Sequence, residues 1–301
     1  MRKRILITGI NGFIGSALQK FILAKRLPFE VVGKKVIRCD FTHQSKLFDI
    51  LVSVNPDYIF HLAGGRKGNV HEIMQSNVQT SRVLFESVLK LKNCRPRIVI
   101  PGSAAEYGFS PPSIKLVTEK LSPQPNSWYG FVKHMQTSLG LMYARKGLDI
   151  VVARLFNISG TGVSPNLVVG KFAKEISMIE KGIKPPQLKT GNLKGKRDFL
   201  DIEDVCRGLV AIAHRGKRGE IYNLCSGHSQ VIGEVLEKLL SFSKVKNIVV
   251  KEENEDISHS HDTIGSNAKI ERISTWRPQV TIEESLRKSL DYYRDANPHC
   301  P

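Results

Sequence analysis

The stretch RILITGINGFIG, from Arg4 to Gly15, determines how this chain is expected to fold. An apolar run typical of a buried strand leads into a turn with glycines at Gly9, Gly12 and Gly15, and apolar residues then recur at helical spacing. The first glycine permits a tight turn, the second lets a pyrophosphate approach the backbone, and the third lets the helix pack closely against the strand. Because free N–H groups at the start of a helix bind phosphate, the stretch predicts a dinucleotide-binding turn.

Strands and helices continue to alternate from this turn to about residue 157. The predicted strands are Arg4–Thr8, Phe29–Gly33, Val36–Asp40, Asp57–Ala63, Arg97–Ser103 and Asp149–Phe156, and the predicted helices are Phe13–Leu27, Lys46–Val54, Val70–Lys92 and Ser127–Arg145. Nearly continuous apolar strands that alternate with helices indicate parallel strands covered on both faces. We therefore predict an α/β fold with a Rossmann-type, doubly wound parallel sheet.

The sequence changes character after Asn157, where loops rich in Gly, Pro and Ser separate shorter helices. A predicted helix at Ile202–His214 and a predicted strand at Glu220–Cys225 are expected to return to the main sheet. The predicted domains are therefore a dinucleotide-binding domain over residues 1–157 and 201–227, and a smaller C-terminal substrate-binding lobe over residues 158–200 and 228–301. We expect the ligand to lie between them, over the carboxyl ends of the strands.

Composition limits the classes to which the chain can belong. Of its 301 residues 41% are apolar, which is enough for a sizeable core. No apolar run is long enough to span a bilayer, and the short run after Met1–Arg4 is better interpreted as the first strand than as a signal peptide. The five cysteines are odd in number, widely spaced and without a CxxC pair, so we expect no disulfide framework, no metal site and a cytoplasmic location.

The formal net charge is +17, from 45 basic and 28 acidic residues. Such a charge attracts anions, and it is explained either by solvated surface lysines or by a negatively charged small substrate. The basic residues are dispersed and no aromatic side chains are interleaved with them. Nucleic-acid binding is therefore not expected.

The residues after the second predicted strand bear on the choice of dinucleotide. An acidic residue there would bind the ribose 2′-hydroxyl of NAD, but this chain has Lys34 and Lys35, which would pair with the 2′-phosphate of NADP. Two solvated turn lysines are the alternative, so NAD remains open. Asp40 would accept a hydrogen bond from the adenine amino group, or would cap the turn before Thr42.

Three further residues suggest catalysis. Tyr129 and Lys133 lie four residues apart on a predicted helix and therefore share a face. A free phenol has a pKa near 10, and a neighbouring ammonium would lower it toward the range in which acid–base catalysis works. Ser103 ends a predicted strand at the same edge of the sheet, where its hydroxyl would hold a substrate oxygen against Tyr129.

These motifs resemble the extended short-chain dehydrogenases/reductases of the NAD-dependent epimerase/dehydratase type. Within that family the chain is most similar to reductases of GDP-4-keto-6-deoxymannose. The motifs that carry the resemblance are TGINGFIG, FHLAG (Phe60–Gly64), GSAAEYG (Gly102–Gly108), YGFVK, RLFNISGTG (Arg154–Gly162), SPNLVVGKFAKEI, GNLKGKRDFLDIEDV (Gly191–Val205) and GEIYNLCSG (Gly219–Gly227). The cofactor-binding residues that the resemblance and the glycine turn imply are Gly9, Asn11, Gly12, Phe13, Ile14, Gly15, Lys34, Lys35, Asp40, Phe41, Leu62, Ala63, Gly64, Tyr129, Lys133 and Phe156.

On the substrate side, the resemblance implies contacts from Ser103, Glu106 and Asn157, with Arg197 near the nucleotide or its phosphates. The alternative for Arg197 is an ion pair with a nearby aspartate. The late arginine that usually clamps the substrate diphosphate in the family has no counterpart in residues 252–261, which contain neither Arg nor Lys. The residues that would take the place of this arginine are Lys189, Lys194, Lys196 or His261.

The residue at position 105 narrows the range of reactions that the chain is expected to catalyse. Related 4,6-dehydratases carry an acidic residue two positions after the catalytic serine or threonine, and here that position is Ala105. The resemblance therefore implies an NADP-dependent reductase of a 4-keto-6-deoxy nucleotide sugar, with Tyr129 as the proton donor to the C4 oxygen. A 4-epimerase with tightly bound NAD, and a reductase of a dTDP- or CDP-linked sugar, remain alternatives.

The remaining expectations concern assembly and two aromatic residues. The resemblance implies a homodimer formed through the helices Val70–Lys92 and Ser127–Arg145. His61 is expected to face the core and support its loop, and Trp128 is expected to pack rather than stack on a ligand.

Overall fold

A computed structural model describes residues 2–32, 44–108, 116–253 and 264–296. Its strands are β1 (Lys3–Thr8), β2 (Phe29–Val32), β3 (Tyr58–His61), β4 (Arg97–Ser103), β5 (Ile150–Leu155), β6 (Asn157–Ser159), β7 (Gln187–Thr190), β8 (Lys196–Asp201), β9 (Ile221–Leu224), β10 (Ser229–Val231) and β11 (Val249–Glu252). Its helices are α1 (Phe13–Ala24), α2 (Gln44–Val54), α3 (Val70–Met74), α4 (Thr80–Leu89), α5 (Trp128–Arg145), α6 (Val168–Glu180), α7 (Ile202–Arg215), α8 (Ile232–Ser241), α9 (Ala268–Ile273) and α10 (Ile282–Asp295).

The main sheet has the strand order β2-β1-β3-β4-β5-β9, and its strands pair in parallel. The chain runs from β1 outward to β2 and then crosses to β3 on the other side of β1. In such sheets a ligand binds where the strand order reverses, outside the carboxyl ends of the strands. The fold therefore places a binding crevice beside the glycine turn that follows β1, and the predicted Rossmann-type α/β fold is confirmed.

Both faces of the sheet are buried, because successive strand residues point to opposite sides. Ile5 and Ile7 belong to the core that α1 and α7 cover, whereas Leu6 belongs to the core that α2, α4 and α5 cover. The same alternation recurs in β4, where Val99 packs in the first core and Ile98 in the second. This double burial explains why the strands are almost continuously apolar in sequence.

A third core lies in the later part of the chain. Phe172 of α6, Leu236 of α8 and Leu290 of α10 pack together with Phe199 of β8. Two short sheets accompany this core, one with the order β10-β8-β6 and one that pairs β11 with β7. The predicted domain boundaries remain a proposal. Ile270 and Trp276 of the C-terminal stretch pack in the core of the main sheet.

The predicted helix Val70–Lys92 is interrupted. Between α3 and α4, residues Gln75–Gln79 form a widened π-helical turn. Within it the buried amide of Asn77 donates 2.8 Å hydrogen bonds to the carbonyls of Gly65 and Ile73. Periodicity could not predict this, because a side chain that bonds the backbone of the preceding loop causes the bulge. The predicted strand Val36–Asp40 lies outside the described residues.

In the part of the chain that the structure describes, no helix combines the length and apolar character that crossing a membrane requires.

Candidate active site

A cavity of about 720 Å³ opens at the carboxyl ends of the central strands. Its walls come from the glycine turn, from the loop after β3, from the end of β4, from α5 and from residues that follow β5. The lining residues are Gly12, Phe13, Ile14, Gly15, Leu62, Ala63, Gly64, Gly65, Arg66, Lys67, Glu72, Ser76, Asn77, Pro101, Gly102, Ser103, Ala104, Ala105, Tyr129, Lys133, Leu155, Phe156, Asn157, Ile158, Ser164, Asn166 and Leu167. The cavity lies where the strand order predicts the crevice.

The glycine turn leaves no room for side chains at its first and third glycines. A Cβ on Gly9, whose φ is +67°, would lie 2.7 Å from the backbone of Leu62 and Ala63. A Cβ on Gly15 would lie 2.2 Å from the carbonyl oxygen of Gly9. Helix α1 begins behind Gly12 without a side-chain cap and without an acidic residue in its first turn, so its N–H groups face the cavity end without a competing carboxylate. The turn therefore fits the pyrophosphate of a dinucleotide.

Ser103 lies at the end of β4, where the chain enters a single 3₁₀ turn. Its Oγ accepts a 3.2 Å hydrogen bond from the backbone N–H of Ala105, which leaves the hydroxyl proton free to be donated. Ser103 and Tyr129 both line the cavity, and the serine hydroxyl favours the phenolate form of Tyr129. Helix α5 reaches the turn because Gly130 has no side chain, since a Cβ there would lie 2.3 Å from the carbonyl oxygen of Ala105.

Glu106, which was expected to contact the substrate, is not among the described residues that line the cavity. Glu106 is fully buried, and its two carboxylate oxygens accept hydrogen bonds from the N–H of Ser103 at 2.7 Å and from Nη2 of Arg154 at 2.7 Å. Thr137 of α5 also donates to it, at 3.1 Å. The spacing Ser-Ala-Ala-Glu is that of a capping box, in which the glutamate bonds back to the serine N–H. Glu106 therefore stabilises the turn at Ser103 from its buried side.

Tyr129 lies in the cavity wall with a raised pKa. Burial is the largest cause, and the Glu106 charge adds to it, whereas the Arg66 charge and the Ser103 hydroxyl oppose it. The expected lowering by Lys133 is not observed, because burial outweighs the favourable contacts. The cation that faces the phenol is Arg66, whose guanidinium carbon lies 4.8 Å from the ring centroid.

Lys133 is 4% exposed and is held from two sides. Its ammonium donates a 2.6 Å hydrogen bond to the carbonyl of Pro101 in β4 and a second one to Oε1 of Gln136. Burial lowers its pKa to about 8, against the opposing attraction of Glu106. At neutral pH Lys133 is therefore charged, with a deprotonation range much closer to working pH than that of a free lysine.

Most of the predicted site residues come together around the cavity. Asn11 is exposed beside Gly12, and Gly9 lies under the loop after β3. Asn157 lines the cavity and donates a 3.1 Å hydrogen bond to the carbonyl of Asp198. Arg197 is not among the described residues that line the cavity, and one of its N–H groups donates to the carbonyl of Lys196. The predicted residues Lys34, Lys35, Asp40 and Phe41, and the candidate His261, lie outside the described residues.

Sequence reasoning missed two groups of lining residues. The first is the loop after β3, with Arg66 and Lys67 at the cavity wall, and the second is Ser164 and Asn166 before α6. A loop that combines two basic residues with Gly64, Gly65 and Gly68 directly after a central strand is a signal for anion binding that could have been used.

His61 and Trp128 can also be located. His61 is fully buried between the hydroxyls of Thr8 and Ser81, as predicted for a core-facing histidine. Trp128 is 64% exposed and meets the ring of Phe131 edge-on, so it packs less than expected.

The comparison with known proteins agrees with this geometry. The sequence profile of the NAD dependent epimerase/dehydratase family matches residues 5–225. The chain belongs to that family. The predicted family, fold class and NAD(P)-dependent enzyme class are thereby confirmed.

Individual relatives align with most of the chain. The GDP-6-deoxy-D-mannose reductase of Pseudomonas aeruginosa is 28% identical over 298 residues, which is 96% of this chain and 97% of that protein. The GDP-6-deoxy-D-talose 4-dehydrogenase of Aggregatibacter actinomycetemcomitans is 28% identical over 80% of each chain. Among solved structures, RMD from Pseudomonas aeruginosa complexed with NADPH superposes with a TM-score of 0.90 at 28% identity, covering 97% of this chain and 99% of that one. The Thermus thermophilus UDP-glucose 4-epimerase, complexed with NAD, shares the fold with a TM-score of 0.82 at 24% identity, covering 98% of this chain and 100% of that one.

Proposed function

We propose that this protein is an NADP(H)-dependent reductase of a 4-keto-6-deoxy nucleotide sugar, with GDP as the nucleotide. The observation that carries the proposal is that Ser103, Tyr129 and Lys133 line one cavity, combined with Ala105 where a dehydratase would need an acid. The similarity to GDP-6-deoxy-D-mannose reductase over nearly the full length of both chains supports the choice of reaction and nucleotide.

The direction of proton transfer follows from the electrostatics of Tyr129. Because its pKa is raised, the phenol is protonated at neutral pH and is suited to donate a proton rather than to accept one. The hydroxyl of Ser103 donates to the same C4 oxygen, since its own Oγ already accepts from Ala105. When bound, the nicotinamide supplies the hydride that reduces C4. Reduction therefore uses both hydroxyls in the protonation states that this site favours.

The glycine turn and the start of α1 would hold the pyrophosphate of the cofactor, and Lys133 would reach its nicotinamide end. Lys34 and Lys35 are the residues proposed to pair with the 2′-phosphate of NADP, and NAD is the alternative cofactor. Solved structures of similar proteins contain NADPH or NAD, which supports a nicotinamide dinucleotide in this crevice.

The polar residues that follow β5 in the cavity wall would bind the sugar nucleotide. Asn157, Ser164 and Asn166 come from the segment that leads into the later lobe, and all three line the cavity. Arg197, Lys189, Lys194 and Lys196 are proposed as candidates for the diphosphate. We propose a cytoplasmic location, because sugar nucleotides and NADPH are supplied there.

We also propose a homodimer built on α4 and α5. These helices pack against each other and carry exposed apolar side chains at Leu89, Phe131 and Met142. An exposed apolar surface of this kind on a helix pair is typical of an interface. Sedimentation velocity distinguishes a dimer from a monomer, and Met142→Glu should shift a dimer toward the monomer.

The function is tested with purified protein, NADPH and a panel of 4-keto-6-deoxy sugars linked to GDP, UDP, dTDP or CDP. We expect the loss of NADPH absorbance to be fastest with the GDP-linked sugar, and slower with NADH in place of NADPH. Protein that arrives with bound NAD, consumes no added NADPH and interconverts a 4-hydroxy sugar with its epimer would instead be a 4-epimerase.

A further inference from the structure

A chain of buried polar side chains extends from Lys133 to the end of β1. Gln136 accepts from the Lys133 ammonium through Oε1 and donates through Nε2 to Oγ of Ser81, at 2.8 Å. Ser81 lies 3.1 Å from Nε2 of His61, and Nδ1 of His61 lies 2.9 Å from the hydroxyl of Thr8. All five side chains are at most 4% exposed.

The direction of each hydrogen bond in this chain is fixed. An ammonium can only donate, so Gln136 must present its oxygen to Lys133 and its nitrogen to Ser81. Ser81 donates its own proton to the carbonyl of Asn77, at 2.6 Å, and therefore accepts from Gln136 and from His61. His61 consequently carries its proton on Nε2, and its Nδ1 accepts from the Thr8 hydroxyl. Each member has the partner that its protonation state requires.

This arrangement determines where the Lys133 ammonium lies. Two of its three N–H bonds are donated, one to the carbonyl of Pro101 and one to Gln136, and the third is available to a ligand in the cavity that Lys133 lines. We propose that Gln136 is a positioning residue for Lys133, oriented in turn by Ser81 and His61, and that it stabilises the ammonium form of that lysine. The role of Lys133 in the reaction rests on the proposed function, whereas the link to Gln136 does not.

Among the residues that the structure describes, few charged or titratable groups surround Lys133. Tyr129 and His134 flank it on α5, Glu106 on the turn after β4 attracts it, and His61 on β3 faces it through the hydrogen-bond chain. Glu106 is already paired with Arg154, and His61 is neutral, because burial lowers its pKa to about 3. Gln136 is therefore the neutral acceptor in direct contact with the ammonium, other than the backbone carbonyl of Pro101.

Two substitutions of Gln136 are expected to shift the pKa of Lys133 in opposite directions. Gln136→Leu removes the acceptor in a buried setting, so the charged form of Lys133 loses a partner and its pKa should fall by about one pH unit. Gln136→Glu puts a carboxylate of the same size in contact with the ammonium, so the pKa should rise by about one pH unit or more. A general structural disturbance would not move the titration of Lys133 in opposite directions.

The experiment titrates Lys133 in the full-length protein, without cofactor or substrate, by NMR of lysines labelled with ¹³C at Cε. The Lys133 resonance is identified by its loss in Lys133→Met. Ser87→Ala is the matched control, because this buried hydroxyl of α4 donates to the carbonyl of Val83 in its own helix and should leave the titration unchanged.

A Lys133 titration in Gln136→Leu and Gln136→Glu that coincides with wild type, or that moves in the same direction in both, would overturn the proposal. If Gln136→Leu does not fold, the proposal is tested by the shift of the Lys133 titration in Gln136→Glu alone. In the reductase assay we expect Gln136→Leu to lose roughly tenfold in kcat/KM. Opposite titration shifts in a protein without reductase activity would refute the proposed function and leave the positioning role of Gln136 standing.

Discussion

The guanidinium of Arg66 lies over the ring of Tyr129, with 4.8 Å between the guanidinium carbon and the ring centroid. A cation over an aromatic face is attracted to the ring, and its charge also stabilises the phenolate. In this site the Arg66 charge opposes the effect of burial, which raises the pKa of Tyr129. Arg66 therefore limits how far burial raises the pKa of Tyr129.

Replacing Arg66 by Met should raise the pKa of Tyr129 further, because burial would act with less opposition. The oxidation of a 4-hydroxy sugar by NADP requires the phenolate as a base, so its pH–rate profile should move to higher pH. Activity at neutral pH should fall by roughly threefold to thirtyfold. Arg66→Lys keeps the positive charge, and its profile should stay closer to wild type. A profile of Arg66→Met that superposes on wild type would show that the guanidinium does not act on the phenol.

The pair of Glu106 and Arg154 should contribute to stability mainly through the cost of breaking it. Both side chains are at most 1% exposed, and Glu106→Gln would leave the Arg154 charge buried without its counter-charge. We expect the free energy of unfolding to fall by about 3–5 kcal/mol, measured by urea denaturation. Glu175→Gln is the control, because its pair with Lys184 is partly exposed and should be worth about 0–1 kcal/mol. Equal losses in the two variants would contradict this account of the pair.

His61 should make the fold sensitive to acid. Its pKa in the folded protein is about 3, against an ordinary value of 6.5, because of burial and the charge of Lys133. Below pH 6.5 the unfolded chain therefore binds a proton that the folded chain does not accept until about pH 3. The contribution of neutral His61 to the free energy of unfolding is therefore fully present above pH 6.5. It is lost as the pH falls, at up to about 1.4 kcal/mol per pH unit.

The variant His61→Gln tests this, because a neutral amide can still donate to Ser81. The decrease in Tm between about pH 7.5 and about pH 5 should be smaller in His61→Gln than in wild type. The exposed His71 provides the comparison, since His71→Gln should leave the decrease unchanged. An acid sensitivity that is identical in all three proteins would mean that His61 does not titrate as described.

Gly15→Ala should weaken dinucleotide binding, because a Cβ there would meet the carbonyl oxygen of Gly9 at 2.2 Å and displace the turn. We expect the Kd for NADPH, measured by fluorescence, to rise by roughly tenfold or more. Gly233→Ala in α8 is the control, since the nearest atom to its Cβ would be 3.4 Å away. Unchanged affinity in Gly15→Ala would argue against the pyrophosphate lying on this turn.

Local patterns predicted the fold well. Strand β4 has the predicted bounds Arg97–Ser103, and α1 begins at the predicted Phe13. These features depend on burial of both sheet faces and on turn geometry, which leave their pattern within a few neighbouring residues. The π-helical turn was not predictable in this way, because it depends on the contact of Asn77 with a loop 12 residues away.

The same distinction applies to the candidate site. The order of glycine turn, serine and Tyr/Lys pair is legible in sequence, because the ends of parallel strands meet at one edge. The inward orientation of Glu106 was missed, because it depends on Arg154, which lies 48 residues later. The contact of Arg66 with Tyr129 and the network behind Lys133 also join residues that only the packed helices bring together.

The most direct test of the proposed reductase activity follows NADPH absorbance with a GDP-linked 4-keto-6-deoxy sugar, in wild type and in Tyr129→Phe. We expect steady consumption by wild type and a loss of about 10²–10⁴ in kcat in the variant, with NADPH binding retained. Turnover in Tyr129→Phe comparable to that of wild type would contradict the proposal.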